Sequence, residues 1–130
     1  MTELLTGPLI ESRTFEEHLR AALPTDVDHV SARLVDERSE HLRVRRNELE
    51  PVFSQFDTGV MITIWNGGGL GYAATTDLSD AGLAAAVERA RYWADVTAGT
   101  MVTTAPPTAH ASGSYESPVE VTWDSLPLDD

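Results

Sequence analysis

Apolar and polar positions recur with two different periods along the chain. Phe15, Leu19, Ala22 and Leu23 fall at helical spacing and Pro24 forbids continuation, which predicts a helix over 15–23. Thr14, three residues ahead of Glu17, has the form of a capping box, so Thr14→Ala is expected to cost about 1 kcal/mol. After Pro24-Thr25-Asp26 the period drops to two: Val30, Ala32 and Leu34 point one way and His29, Ser31 and Arg33 the other, as in a half-buried strand. The polar run Asp36-Glu37-Arg38-Ser39-Glu40 reads as a turn, and Leu42 and Val44 alternating with Arg43 and Arg45 as a second strand. A longer connection containing Asn47, Pro51, Phe53 and Phe56 leads to the strongest strand pattern, Val60 to Trp65. There Val60, Ile62 and Ile64 share one face and Met61, Thr63 and Trp65 the other.

Asn66-Gly67 between apolar runs signals a hairpin, with Gly68 and Gly69 expected to lengthen its loop beyond two residues. Leu70, Tyr72 and Ala74 form a fourth strand, and Gly71 and Ala73 leave room on its other face. Ser79 is a good N-cap for a second helix, whose stripe is Leu83, Ala86, Val87, Ala90, Trp93 and Ala94 and which fades near Thr97. Gly82 is expected to weaken its first turn by about 1 kcal/mol relative to Ala. From Gly99 onward Thr, Ala, Ser, Gly and Pro dominate, as in a linker, with Val119 and Val121 as a short candidate edge strand. The expected architecture is α+β, a four-stranded antiparallel meander with two helices packed on one face (α-β-β-β-β-α) and a Pro/Ser/Thr-rich C-terminal tail. The expected division is an N-terminal extension over 1–13, an α+β domain over 14–98 and a linker over 99–130 toward a further domain.

Composition narrows the chemistry. The 130 residues carry 21 acidic and 9 basic side chains, a formal charge of −12, and every basic residue is an arginine. Such an excess repels phosphate backbones and anionic membranes, so neither is expected as a partner. The absence of lysine removes Schiff-base chemistry and a Walker-type phosphate lysine, and the absence of cysteine removes disulfides, thiolate zinc sites and cysteine nucleophiles. No signal peptide or membrane-spanning run is visible, so a cytoplasmic location is expected. None of His18, His29, His41 and His110 has a second histidine one helical turn away, the spacing a zinc helix needs. His29 and His41 lie near the ends of adjacent expected strands and are a candidate pair, with ordinary surface histidines as the plainer reading.

Gly67-Gly68-Gly69-Leu70-Gly71 opens a strand instead of a helix and so fails the dinucleotide fingerprint. Paired carboxylates such as Glu16-Glu17 and Asp129-Asp130 lie in no desolvating context. No catalytic residue and no metal ligand is assigned. The only concentration of basic charge, with Arg33, Arg43 and Arg45 expected on one sheet face beside Met61 and Trp65, is a candidate interface; solvated cross-strand ion pairs are the competing account.

The strand before Asp36, the segment Leu42-Arg43-Val44-Arg45, Asp57-Thr58-Gly59-Val60 and above all the run from Trp65 through Ser79 into an alanine-rich helix together resemble the N-terminal domain of the TldD/PmbA family over residues 28–97. Where that family commonly has glycine after the second strand, this chain has Arg46-Asn47-Glu48; asparagine tolerates the same left-handed geometry. The resemblance implies a cytoplasmic system of zinc metallopeptidases acting on peptides or unfolded chains, often as paired subunits, with some members described as modulators of DNA gyrase. Their zinc site is a His-Glu-x-x-x-His helix in a later part of a longer chain, so no cofactor is expected in this segment and no site residue is carried over. The resemblance implies a non-catalytic N-terminal module, contributing subunit contact in a homo- or hetero-oligomer and part of a peptide chamber. Two alternatives stay open: a free-standing binding or regulatory protein that docks on a full-length family partner, and an enzyme in its own right using His29, His41 and nearby acids.

Overall fold

Among the described residues the elements follow one another as α1 (Ser12–Ala22), β1 (His29–His41), β2 (Val44–Arg45), β3 (Glu48–Leu49), β4 (Phe53–Asn66), β5 (Gly69–Thr75) and α2 (Asp80–Thr97). They come from a computed structural model, which describes residues 12–103, 112–122 and 125–126. β4 is the centre of a three-stranded antiparallel sheet of order β1-β4-β5, and β2-β3 form a separate two-stranded ribbon. The α+β class, the antiparallel sheet and the packing of both helices on one face are as the pattern predicts; the meander has three strands instead of four, because the expected second strand leaves the sheet for the β2-β3 ribbon.

Alternation decides which face is covered. Val60, Ile62 and Ile64 of β4 point under the helices with Ala73 of β5, and meet Leu19 of α1 and Leu83, Ala86, Val87, Ala90 and Ala94 of α2. Val30, Ala32 and Leu34 of β1, each opposite one of the three β4 residues, flank this core. The seam between β5 and α2 is unusually close: a methyl group built on Gly69 or Gly71 would overlap the backbone carbonyl of Ala94 or Ala90. The helix can therefore lie almost directly on the strand, with alanines facing glycines. Thr97 locks the end of this seam, its hydroxyl accepting from the Leu70 N–H at 2.9 Å and donating to the Leu70 carbonyl at 2.7 Å.

Helix α2 begins as expected. Ser79 accepts from the Gly82 N–H at 3.2 Å, and its own hydroxyl donates to Asp77 at 2.6 Å. Gly82 is not a weak point in this turn: it is buried, and a Cβ there would run into Asp77. The helix start is thus wrapped by the preceding Asp77 turn.

Several local expectations are corrected. Residues 36–40 are not a turn: β1 runs without a break to His41, paired with β4 from Asp36↔Thr58 to His41↔Phe53. No apolar alternation marks this stretch because it projects beyond the helices, and polar cross-strand contacts hold it. Across the strands Thr58 donates to Asp36 at 2.9 Å, Ser54 donates to Glu40 at 3.5 Å and the Arg38 guanidinium lies 5.7 Å from the Phe56 ring centre, while within β1 Arg38 donates to Glu40 at 2.9 Å. Phe53 and Phe56 consequently lie on a strand instead of a connection. The expected Leu42–Arg45 strand shrinks to Val44–Arg45, which pairs only with Glu48–Leu49 around Arg46 and Asn47, both at positive φ.

The glycine hairpin is the tightest kind. Gly67 and Gly68, at φ 57° and 78°, are its two loop residues, and Asn66 pairs with Gly69. Asp28, in the segment before β1, accepts the Gly67 N–H at 2.9 Å. Helix α1 starts at Ser12, so Thr14 lies inside the first turn and the capping-box reading falls. Val119 and Val121 lie exposed and form no strand.

Candidate functional site

Among the described residues no helix covers the second face of the three-stranded sheet. Since side chains alternate, it carries His29, Ser31, Arg33 and Val35 from β1, Gly59, Met61, Thr63 and Trp65 from β4, and Leu70, Tyr72 and Ala74 from β5. Arg33 lies opposite Met61, Met61 opposite Ala74, and Thr63 opposite Tyr72. The small residues Gly59 and Ala74 lower the surface between larger neighbours, leaving a groove of about 620 Å³ bordered by Arg33, Val35, Asp57, Met61 and Thr76. A single guanidinium and a single carboxylate thus border an otherwise mostly apolar or hydroxylic depression.

Of the residues singled out in sequence, Arg33, Met61 and Trp65 meet on this face. Arg43 and Arg45 do not: they sit around the β2-β3 ribbon, beyond the far end of β1. Arg43 lies 3.7 Å from Glu50 with its side chain largely in solvent, and Arg45 pairs in register with Glu48. The reason is the uninterrupted β1, which carries the arginine segment past the sheet instead of folding it back.

His29 and His41 occupy opposite ends of β1, so they cannot act on one group; twelve residues of strand span roughly 40 Å. His41 stacks at 6.1 Å against Phe53, and His18 of α1 lies 3.1 Å from Asp80 of α2. His110 lies outside the described residues. Among the described residues no three of His, Cys, Asp or Glu come close enough to hold a metal ion, and the separated histidines do not fit a zinc site.

Shifted carboxylates lie in joints of the fold, away from the groove. The Arg91 guanidinium holds the Asp26 carboxyl below its ordinary value, and the carboxylate in turn raises Arg91. The Ser79 hydroxyl and amide do the same to Asp77. Two exposed features escaped the sequence reading. Glu37 and Asp57 face each other directly across β1 and β4, a like-charged pair that no helix covers. Trp93, in T-shaped contact with Tyr92 at 5.4 Å, stands beside Tyr72 and Leu70 at the β5 edge. Register exposes the first pair, and only the helix placement brings the second beside the strand.

The family model for PmbA/TldA metallopeptidase domain 1 matches residues 30–94. That span runs from β1 through nearly all of α2, and it is half of the chain. The chain belongs to the PmbA/TldD metallopeptidase family. A search of curated proteins found no match. The matched span of this PmbA/TldD domain covers the elements that build the uncovered face: the sheet and the helix sealed onto its back. Among its described residues no helix is long and apolar enough to cross a membrane.

Proposed function

We propose that this PmbA/TldD domain is a non-catalytic module that contributes subunit contact and one wall of a peptide chamber, within a cytoplasmic peptidase system whose metal is bound outside these 130 residues. The supporting observation is the helix-free face, where Arg33, Met61 and Trp65 lie together beside the groove. An arginine among exposed apolar and aromatic side chains is a composition typical of protein interfaces. A shallow trough along strands suits an extended peptide or the surface of another subunit better than a small polar metabolite. Among the described residues His18, His29 and His41 form no group that could hold a metal, which supports assigning the chemistry named by the family to another segment.

Two measurements test this. The purified chain should hold no stoichiometric zinc by metal analysis and should release no product from unfolded peptide substrates. Light scattering should show either self-association or a complex with a full-length PmbA/TldD-type subunit. One tightly held zinc per chain together with peptide hydrolysis overturns the non-catalytic reading. A strict monomer that binds no such subunit overturns the contact reading.

A further inference from the structure

Among the described residues the sheet has two open edges, and they differ. The two-residue turn makes Asn66↔Gly69 a hydrogen-bonded pair, so even-numbered residues of β4 bond to β5 and odd-numbered ones to β1. On β5 the outward backbone groups therefore belong to Leu70, Tyr72 and Ala74, and Thr97 already occupies those of Leu70. On β1 the outward groups belong to even-numbered residues, among them Val30, Ala32 and Leu34, which meet no backbone partner among the described residues. β1 is the longer opening.

Its charges are arranged symmetrically. On the helix-free face Arg33 and Glu37 stand two residues either side of Val35. Arg33 has Met61 opposite it and no ion-pair partner among the described residues. Glu37, which accepts one hydroxyl from Ser39 at 2.9 Å, faces the carboxylate of Asp57. An unneutralised cation and a carboxylate thus lie on one edge strand at equal distances from one apolar residue, with Asp57 of β4 behind the carboxylate.

We propose that the outer edge of β1 pairs antiparallel with β1 of a second copy of this chain about a two-fold axis at Val35, setting Arg33 of each copy against the partner's Glu37. This deepens the subunit-contact reading and rests on it. The pairing joins the two sheets into one of six strands and makes the helix-free faces continuous. It brings a guanidinium to each Glu37–Asp57 pair, where a lone strand leaves like charges opposed. Sliding one strand by four residues in either direction would set Arg33 against Arg33 or Glu37 against Glu37, so charge selects the register.

The chain has no cysteine, which makes single-cysteine variants clean probes. At the two-fold axis Val35 would form a non-hydrogen-bonded pair with Cα atoms about 4.5 Å apart, within disulfide reach. The full-length Val35→Cys chain is expected to run as a covalent dimer after mild oxidation, while Tyr72→Cys at the opposite edge is expected to remain a single chain. Arg33→Glu should weaken dimerisation about tenfold or more, two attractive pairs having become repulsive, and Arg33→Glu combined with Glu37→Arg should restore it. A dimer by light scattering whose Val35→Cys form does not cross-link, or which ignores both charge reversals, overturns the edge pairing and leaves subunit contact standing. A chain that is monomeric alone but binds a PmbA/TldD-type subunit does the same. A monomer that binds nothing removes both.

Discussion

At the residue scale, the decisive side chains are the ones that are missing. Gly71 lets the α2 backbone reach β5, and a methyl group there would overlap the Ala90 carbonyl and crowd the Ala94 amide. Gly71→Ala should therefore destabilise the fold by at least about 1–3 kcal/mol, the range for overpacking a tight seam, read as a lower urea midpoint. Thr97→Val keeps the shape of the side chain but leaves the Leu70 N–H and carbonyl without their partner. The expected loss is about 1–3 kcal/mol, with faster hydrogen exchange at the Leu70 amide. Sequence spacing pointed to room beside Gly71 and Ala73. It could not show that a helix backbone fills that room, since the close approach joins Gly71 to Ala90 and Ala94, far along the chain.

At the element scale, α2 is framed by its N-terminal turn. Ser79→Ala removes the acceptor for the Gly82 N–H and should cost about 1 kcal/mol by thermal unfolding. The same turn carries a pH signature. Asp77 is held below the ordinary carboxylate value of 3.8 by the Ser79 hydroxyl and then the Ser79 amide. A carboxyl whose folded value is depressed adds stability above its unfolded value and loses it as pH falls through the folded one. Acid unfolding should thus steepen below about pH 4, and Asp77→Asn should flatten that slope while leaving the dependence near neutral pH unchanged, by far-UV circular dichroism against pH. The N-cap was legible from Ser79 alone. The reach of β1 was not, because Asp36 to Glu40 have the composition of a turn and become a strand only through Thr58, Phe56 and Ser54 opposite them.

At the scale of the whole molecule, the chain divides into a sealed sheet and a projecting ribbon. Ile62, Ile64, Leu83, Ala90 and Ala94 have no exposed surface, whereas every residue from His41 to Leu49 is exposed. Replacing 43–50 by a two-residue Asn-Gly turn should accordingly leave the unfolding midpoint within a few degrees, a shift of roughly 0.5 kcal/mol for surface changes of this kind. If the ribbon instead serves contact with another subunit, the same deletion should weaken that complex without loosening the core. The candidate face divides along the same line: Arg33, Met61 and Trp65 share it because all three lie on the sealed sheet, and Arg43 and Arg45 leave it with the ribbon.

What the sequence determined by itself was everything carried by local periodicity and steric punctuation. The alternation from Val60 to Trp65, the glycine hairpin, the Ser79 cap and the alanine stripe of α2 each follow from neighbours within a few residues, and together they specify the fold class and the family. Tertiary structure alone decided the length of β1, the seating of α2 on Gly69 and Gly71, and the opposition of Glu37 to Asp57. Those features depend on contacts between residues far apart in the chain, where the free energy of pairing and close packing outweighs what the local composition prefers.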